Sequence, residues 1–386
     1  MVETENRLRH ALEQRESQDS LRRLTSGCEL VDFCSNDYLG FSRSEVLKGR
    51  IRDEVAKNTG SMIGSTGSRL ISGNSQYCEG LEKFIADFHD AESGLIFNSG
   101  YDANIGIFSS IPQRTDTILY DQLVHASIRD GIRLSNAKAF SFRHNDIVDL
   151  ERRLKAEGRV SQEGRFAKNV LVAVESVYSM DGDCAPLTEM VELCERYGAS
   201  LIVDEAHATG VFGKGGEGRV VELGLEDRVL ARVHTFGKAL GSHGAIVLGS
   251  KTVRSYLINF ARSFIYTTAL PFHSLASVRC AYEYLASDKE QIAGLKERVK
   301  LFKTLIGSEL ADKMIPSESA IQCVVIAGNS KVKAVAKGIQ ESGYDVRAIM
   351  HPTVPSGAER LRICLHSFNT EAEIENLTNR LGALTQ

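Results

Sequence analysis

The middle of the chain alternates short apolar runs with segments of helical pattern, and this alternation constrains the fold more than any other feature. Six apolar runs of strand length lie between about residues 50 and 276. The helical segments include 146–156 and 186–197, and the second begins at Pro186, where a proline loses no hydrogen bond. Strands that alternate with helices of this length predict an α/β fold, with a mostly parallel sheet covered by helices on both faces. The six predicted strands are 95–97, 117–120, 169–174, 200–203, 232–235 and 245–248.

The two ends of the chain carry different patterns from its middle. Leucines at helical spacing predict an amphipathic helix over 5–24, and a strand-like stretch follows at 30–34. We interpret residues 1–48 as an N-terminal arm that packs on another surface. The last hundred residues have a mixed pattern of their own, so the sequence predicts a large domain over 49–276 and a small C-terminal α+β domain over 277–386. Within the small domain, strands are predicted at 322–326, near Val346 and at 361–365, and helices at 330–342 and 370–384.

Charge and cysteine content exclude several classes of protein. The 386 residues have a formal net charge of −4, which provides no general basic surface for nucleic acid. The eight cysteines are scattered without a C-x-x-C pair, so we expect reduced, mostly buried thiols rather than a metal site or a disulfide framework. The first residues are charged and lack the apolar core of a signal peptide, and no apolar run is long enough to cross a bilayer. These features predict a cytoplasmic protein without a membrane span.

Polar and reactive side chains follow several of the predicted strands at the point where each strand ends. Asp204 and His207 come after strand 200–203, Lys238 follows strand 232–235, and Glu175 follows strand 169–174. In an open α/β sheet, ligands bind at the carboxyl ends of the strands. We therefore expect these side chains to border one ligand site.

Lys238 and Asp204 together indicate a particular cofactor. Lys238 is flanked by Gly237 and Ala239, whose small side chains leave room for a large group. Pyridoxal phosphate requires a lysine that forms a Schiff base and a carboxylate that keeps the ring nitrogen protonated, so that the ring accepts electrons. A solvated surface lysine is the plain alternative for Lys238 alone. The pair predicts a pyridoxal phosphate site.

A phosphate site and two histidines extend this interpretation. Gly100 and Tyr101 lie between a predicted strand and a predicted helix, where backbone N–H groups favour an anion, although Gly100 alone is equally consistent with a simple turn. Thr235 offers the same phosphate a hydroxyl group. His125, which follows strand 117–120, is suited to stack on the cofactor ring, and His207 is suited to donate to its phenolate oxygen. An isolated histidine such as His125 is more often a hydrogen-bonded structural residue, so these roles are indicated jointly rather than singly.

Seven segments in this chain resemble those of one known family, the α-oxoamine synthases, which are fold-type I pyridoxal phosphate enzymes. They occur in the family's order and span nearly the whole chain. The segments are Ser35 to Gly40, Asn98 to Tyr101, Ser179 to Asp183, Asp204 to Gly210, Thr235 to Gly241, Tyr266 to Thr268 and Pro352 to Pro355. Ser242 and His243, directly after the lysine segment, depart from the family's pattern.

The resemblance implies a role for each matching residue. It implies a fold-type I transferase in which the domain over 49–276 binds pyridoxal phosphate, and a homodimer in which Thr267 and Thr268 reach the phosphate of the neighbouring subunit. The implied catalytic residues are Lys238, His125 and Asp204. The implied cofactor-binding residues are Gly100, Tyr101, Ser179, Asp204, His207, Thr235, Lys238, Thr267 and Thr268. The implied substrate-binding residues are Arg22, Asn36, His125, Thr353 and Arg362, and the planar guanidinium of Arg362 suits a carboxylate.

The resemblance also implies the reaction class. Family members condense a small amino acid with an acyl thioester carried by coenzyme A or a carrier protein, lose carbon dioxide and release an aminoketone. The segments here are most similar to the branch that joins alanine to a pimeloyl thioester in biotin biosynthesis. Glycine C-acetyltransferase, 5-aminolevulinate synthase and serine palmitoyltransferase activities remain alternatives, as do an aminotransferase and a catalytically inactive subunit of a heterodimer.

Overall fold

The computed structural model describes residues 2–18, 20–22, 24, 29–58, 60, 62–157 and 169–385. These residues form two compact units. The first, which we call the sheet unit, comprises Asn36–Ser179 and Cys184–Leu295. The second, which we call the terminal unit, comprises Met1–Ser35, Met180–Asp183 and Lys296–Gln386. The three predicted segments, 1–48, 49–276 and 277–386, stay a prediction.

Helices and strands alternate along the described residues. The helices are α1 (Val2–Ser17), α2 (Glu45–Lys57), α3 (Gln76–Phe88), α4 (Gly100–Ser110), α5 (Ala126–Leu134), α6 (Ile147–Glu157), α7 (Leu187–Tyr197), α8 (Arg219–Glu222), α9 (Lys251–Phe260), α10 (Arg262–Ile265), α11 (Phe272–Ser287), α12 (Glu290–Leu305), α13 (Ser308–Ala311), α14 (Asn329–Glu341) and α15 (Glu371–Thr385). The strands are β1 (Val31–Asp32), β2 (Ser93–Phe97), β3 (Thr117–Asp121), β4 (Lys138–Phe142), β5 (Val170–Glu175), β6 (Ala199–Asp204), β7 (Ala231–Thr235), β8 (Ala245–Gly249), β9 (Ile321–Val325), β10 (Tyr344–Asp345), β11 (Arg347–Ile349) and β12 (Arg360–Cys364).

The sheet unit is built on a seven-stranded sheet of order β2-β8-β7-β6-β5-β3-β4. Strands β3 to β7 pair in parallel, which confirms the predicted mostly parallel sheet. All six residues of the central strand β5 are buried, as expected for a strand covered on both faces. Strand β8 runs antiparallel to β7 and β2, because the loop from Phe236 to Gly244 is too short for the crossover that a parallel pair needs.

The sequence did not predict strand β4. It lies at the edge of the sheet and pairs only with β3. Lys138 is exposed and Phe142 is buried, so the strand carries an alternating pattern instead of a continuous apolar run. Because edge strands are partly solvated and tolerate charged residues, a search for apolar runs misses them.

The terminal unit contains two small sheets. Strands β11, β12 and β9 form an antiparallel sheet, and β1 pairs in parallel with β10. The buried guanidinium of Arg360 donates to Asp181 at 2.5 Å. The adjacent Gly182 has a φ of +81°, and a Cβ there would lie 2.2 Å from the carbonyl oxygen of Ile321. Glycine is therefore required at this position.

The predicted N-terminal helix is too long at its C-terminal end. Helix α1 ends at Ser17, whereas the leucine pattern predicted a helix to residue 24. The hydroxyl groups of Ser17 and Ser20 donate to the carbonyl oxygens of Gln14 and Arg15, and such local bonds compete with helical ones. Leu8 and Leu12 remain 58% and 56% exposed, so the predicted packing of this arm on another surface stays a prediction.

The described cysteines are free thiols, as the sequence predicted. Cys34 and Cys184 are half-buried and the other five described cysteines are buried, whereas Cys28 lies outside the described residues. No helix in the described part of the chain is long and apolar enough to cross a membrane.

Candidate active site

A cleft with about 700 Å³ of empty space opens at the carboxyl ends of strands β5, β6 and β7 in the sheet unit. The structure brings seven of the predicted site residues together there, namely Gly100, Tyr101, His125, Asp204, His207, Thr235 and Lys238. Glu175, which was expected to border the site from its place at a strand end, lines the cleft as well. Asn104, Ser127 and His243 also line the cleft but were not predicted as site residues. Across the ranges that the structure describes, no group of three or more His, Cys, Asp or Glu side chains is placed to hold a metal ion.

Asp204 is the last residue of β6 and is only 6% exposed. One of its oxygens, Oδ2, accepts a hydrogen bond from Asn104 Nδ2 at 2.7 Å. The other, Oδ1, accepts the backbone N–H of Ala206 at 2.9 Å. Two donors that converge on one buried carboxyl group stabilise its charged form.

A chain of hydrogen bonds joins Asp204 to His125. Asn104 Nδ2 also donates to the hydroxyl group of Ser127 at 3.0 Å, and that hydroxyl lies 2.7 Å from His125 Nδ1. The backbone N–H of Ser127 donates to the same nitrogen. Because Nδ1 accepts, the neutral ring carries its hydrogen on Nε2. Asn104 lies one helical turn after Gly100, so a search for polar residues on the same helix face could have found it.

The charge state of His125 is set by the cleft. Desolvation lowers its pKa, the negative charge of Asp204 opposes that change, and the positive charge of Lys238 adds to it. A lowered pKa keeps the imidazole neutral near pH 7. A neutral ring is suited to packing on a planar heterocycle.

His207 is held by a tyrosine that the sequence analysis did not single out. Its Nδ1 lies 2.7 Å from the hydroxyl oxygen of Tyr38, which is 1% exposed. The Tyr38 hydroxyl donates its hydrogen to Asn36 Oδ1 at 3.1 Å. Since a phenol has only one hydrogen, it accepts from His207 Nδ1, so a neutral His207 ring has no hydrogen on Nε2. The expected donation from His207 to the phenolate oxygen of the cofactor therefore requires the protonated ring. Tyr38 and Asn36 lie in one of the matching segments, but a sequence does not show which atoms meet.

The N-terminus of α4 forms the part of the cleft that suits an anion. The side chain of Ser99 accepts the N–H of Asp102 at 3.0 Å, whereas the first N–H groups of the helix, at Gly100 and Tyr101, have no partner within the helix. A Cβ at Gly100 would lie 2.5 Å from Thr235 Cγ2, so the two segments approach more closely than any other residue would allow. The phenol of Tyr101 lies apart from this role and donates to Asp130 at 2.6 Å.

Glu175 borders the cleft, as its place at a strand end predicted, although the sequence analysis assigned it no role. It pairs in register with Asp204 on the neighbouring strand and is 2% exposed. Burial raises the pKa of Glu175 well above its ordinary value, and the charge of Asp204 adds to the effect. Both effects favour the neutral form of this carboxyl group.

The remaining predicted residues lie in different places. Ser179 is buried at the end of the sheet unit's first segment. Thr267 accepts a hydrogen bond from Asn98 Nδ2 at 2.8 Å, and the carbonyl oxygen of Thr268 accepts from the same group at 2.8 Å. These two threonines therefore contact Asn98 of their own chain, which directly precedes Ser99, the N-cap residue of α4.

Three predicted substrate residues belong to the terminal unit. Arg22 is exposed outside any helix. Thr353 lies in a turn after the cis peptide bond between His351 and Pro352. Arg362 lies in β12, is 8% exposed and donates to Cys364 Sγ at 2.9 Å.

Comparisons with known proteins agree with this fold and show the family. Residues 29–381 match the family described as aminotransferase class I and II. An 8-amino-7-oxononanoate synthase from Emericella nidulans is 49% identical over 399 residues, which cover 98% of this chain and 95% of the relative.

Solved structures give the same result at the level of the fold. A Sphingomonas wittichii serine palmitoyltransferase superposes with a TM-score of 0.82 at 30% identity, over 91% of this chain and 86% of the other. An 8-amino-7-oxononanoate synthase from Francisella tularensis gives a TM-score of 0.75 at 28% identity, over 92% and 97%. The chain therefore belongs to the class I and II aminotransferase family, and within it to the pyridoxal-phosphate-dependent α-oxoamine synthases.

Proposed function

We propose that this enzyme condenses alanine with a pimeloyl thioester, with loss of carbon dioxide, in biotin biosynthesis. The observation that carries the proposal is the convergence of Lys238 and Asp204 on one cleft, in a chain that is 49% identical to an 8-amino-7-oxononanoate synthase over almost its whole length. Serine palmitoyltransferase activity is the second candidate, because such enzymes are among the structural relatives.

The residues of the cleft fit pyridoxal phosphate. The first N–H groups of α4, at Gly100 and Tyr101, suit the phosphate, and Thr235, whose Cγ2 lies against Gly100, also lines the cleft. Asp204, with its two donors, would hold the hydrogen on the ring nitrogen. His207 and Ser179 would bind near the ring oxygen, and His125 would stack on the ring. When bound, the cofactor supplies an electron sink for the pair of electrons left at the substrate Cα.

Lys238 has two tasks in this proposal. Its amine would hold the cofactor in the resting enzyme through a Schiff base and, once the substrate has displaced it, would accept the proton from the substrate Cα. Lys238 is half-buried at the cleft, so its amine can reach the cleft and still exchange with solvent. Proton transfer by a positioned base contributes about 10²–10⁴-fold to a rate.

The substrate residues are proposed from the matching segments. Arg362 would bind the carboxylate of the amino acid, with Asn36 beside it, because a guanidinium binds a carboxylate through two parallel hydrogen bonds. Arg22 and Thr353 would contact the acyl thioester. His125 would contact the substrate from the face of the cofactor ring that it covers.

We further propose a cytoplasmic homodimer in which Thr267 and Thr268 contact the phosphate of the neighbouring subunit. Sedimentation of the purified enzyme at several concentrations measures its assembly. A dimer is the expected result, and a monomer at the concentration at which the enzyme turns over would contradict this part of the proposal.

Product analysis tests the reaction itself. The purified enzyme, loaded with cofactor, is offered alanine, glycine or serine together with a pimeloyl, acetyl or palmitoyl thioester. Each thioester is tested on coenzyme A and on a carrier protein. The products are identified by mass spectrometry. We expect the aminoketone from alanine and the pimeloyl donor to be the main product. A long-chain ketone from serine would support the second candidate. Conversion of the bound cofactor to its amine form by alanine alone would indicate an aminotransferase.

A further inference from the structure

The cofactor cleft contains a second buried acid besides Asp204. Glu175 and Asp204 end neighbouring parallel strands and lie directly opposite each other in the register, so their side chains point to the same face of the sheet. Both line the cleft, and they are 2% and 6% exposed. Two carboxylates this close in a dry site cannot both be charged without a large penalty.

The surroundings of the two acids decide which one carries the charge. Asp204 receives donors from Asn104 and Ala206. Glu175 has the deeper burial, and burial and the charge of Asp204 raise its pKa, against the opposing effects of Lys238 and of backbone N–H groups at His125 and Ser179. The proton of the pair therefore belongs on Glu175.

The geometry of the Glu175 side chain also favours its neutral form. Oxygen Oε1 of Glu175 is buried and has no hydrogen-bond partner among the described residues. A charged carboxylate oxygen buried in this way would need a donor, whereas a protonated one can itself donate to whatever occupies the cleft.

We propose that Glu175 is a positioning residue that acts as a neutral acid: it carries a proton on Oε1 and leaves the negative charge of the pair on Asp204. This inference rests on the proposed assignment of the cleft to the cofactor. A glutamine at position 175 reproduces such a group, because it is neutral and has both an acceptor and a donor. An alanine reproduces neither property.

Infrared difference spectroscopy of the holoenzyme tests the protonation directly. Above pH 7, the neighbouring acid Glu205, whose pKa burial raises to about 7, is increasingly ionised. We expect the difference between wild type and Glu175→Gln to contain the carbonyl band of a protonated carboxylic acid in that range. In the difference between wild type and the matched control Glu205→Gln, the band should weaken as the pH rises above 7, whereas the Glu175 band should persist. Absence of the band from the Glu175 difference would overturn the proposal.

Cofactor binding tests the positioning role. Glu175→Gln should keep the dissociation constant of pyridoxal phosphate and the pH at which the visible spectrum of the bound cofactor changes. Glu175→Ala should bind the cofactor about tenfold more weakly, because it removes a buried side chain that lines the cleft beside Asp204, and should shift that pH. If Glu175 were charged in the wild type, Glu175→Gln would remove a negative charge beside the cofactor and lower the transition pH by about one unit or more, which would refute the proposal.

The two levels of inference fail differently. If the cleft did not hold the cofactor, neither position 175 variant would change the visible spectrum, and Lys238→Ala would retain the borohydride-sensitive colour of the wild type. If only the role of Glu175 were wrong, Lys238→Ala would lose that colour as proposed, but Glu175→Gln would not behave like the wild type.

Discussion

At the residue scale, the cleft depends on side chains that hold one another in a defined protonation state. Lys238 is the side chain on which the proposed chemistry depends most. Replacing it with alanine removes both the covalent attachment and the base at the substrate Cα. We expect Lys238→Ala to bind pyridoxal phosphate weakly but measurably and to lose turnover. The checks are equilibrium dialysis and the product assay, and synthase activity retained by the mutant would count against the whole assignment.

Asp204 is expected to control the electronic state of the cofactor. Asparagine keeps the shape of the side chain and can still accept the N–H of Ala206, which bonds to Oδ1 in the wild type. It lacks the charge that holds a proton on the ring nitrogen. Asp204→Asn should therefore keep the fold and the colour of the holoenzyme and lower kcat by about 10²-fold or more. An unchanged kcat would remove the role assigned to Asp204.

Tyr38 is expected to control His207. The Tyr38 hydroxyl oxygen lies 2.7 Å from His207 Nδ1 and is the acceptor for that nitrogen. In Tyr38→Phe the His207 ring can place its hydrogen on Nε2. The nitrogen proposed to face the ring oxygen of the cofactor then becomes a donor. We expect a shift in the pH at which the visible spectrum of the holoenzyme changes, with cofactor affinity reduced about fivefold. Tyr197→Phe is a matched control, because the hydroxyl of Tyr197 bonds to Glu151 on the surface, and a spectrum identical to the wild type in Tyr38→Phe would contradict the role.

At the element scale, helix α4 is the element that the proposed phosphate site requires. In Gly100→Ala the new Cβ would meet Thr235 Cγ2 at 2.5 Å, so the helix or the threonine must move. Overpacking of this kind costs about 1–3 kcal/mol. We therefore expect cofactor affinity to fall about tenfold, measured by titration of the apoenzyme. Gly80→Ala, at an exposed position of α3 with nothing within 4 Å, is the control and should leave the affinity unchanged.

The elements also show which features the sequence could predict. Buried strands such as β5 and β6 are continuous apolar runs, and polar residues at their ends marked the cleft, so seven site residues were found before the structure. Edge strand β4 and the end of α1 were missed because alternation and local serine bonds are weaker signals. The roles of Tyr38 and Asn104 could not be assigned, because their contacts with His207 and Asp204 join segments that are distant in sequence.

At the scale of the whole molecule, the central sheet separates the cofactor cleft from a second buried polar cluster. Asp204 and Glu205 are consecutive, and successive side chains of an extended segment point to opposite sides. Glu205 packs against Gly218, where a Cβ would lie 1.9 Å from Oε2. His89, Arg232, His234 and Tyr282 form the rest of this cluster, and each is at most 2% exposed. The cluster is a feature of stability, because the proposed chemistry uses none of its members.

Two histidines of this cluster make the stability of the fold depend on pH. His89 Nδ1 donates to the carbonyl oxygen of Glu217 at 2.8 Å, so its Nε2 accepts from Tyr282, and the neutral ring is fully bonded. Burial lowers the pKa of His89 to about 3, and the charge of Arg232 adds to this. Burial also lowers the pKa of His234 well below its ordinary value, and its ring lies 4.0 Å from that of His89.

Protonation of these histidines in the unfolded chain therefore favours unfolding in acid. His89 has a pKa of 6.5 in the unfolded chain and about 3 in the folded protein. The stability that its neutral form provides is therefore complete above pH 6.5 and is lost as the pH drops from 6.5 toward 3. Glu205 acts in the opposite direction, because its pKa rises from 4.5 to about 7, so its contribution is lost as the pH increases through that interval. Glu175, whose pKa burial also raises, acts in the same direction as Glu205.

Chemical denaturation at a series of pH values measures this balance. Each buried histidine adds about 1.4 kcal/mol per pH unit to the slope of the unfolding free energy below pH 6.5. His89→Gln removes one titrating group and retains a donor and an acceptor, so its slope between pH 5 and pH 6.5 should be smaller than that of the wild type by about this amount. His10→Gln, on the exposed surface of α1, is the control and should keep the wild-type slope. Equal slopes for His89→Gln and the wild type would show that His89 is already protonated in the folded protein. If His234 behaved in the same way, the buried cluster would hold two additional positive charges, more than its hydrogen bonds can satisfy.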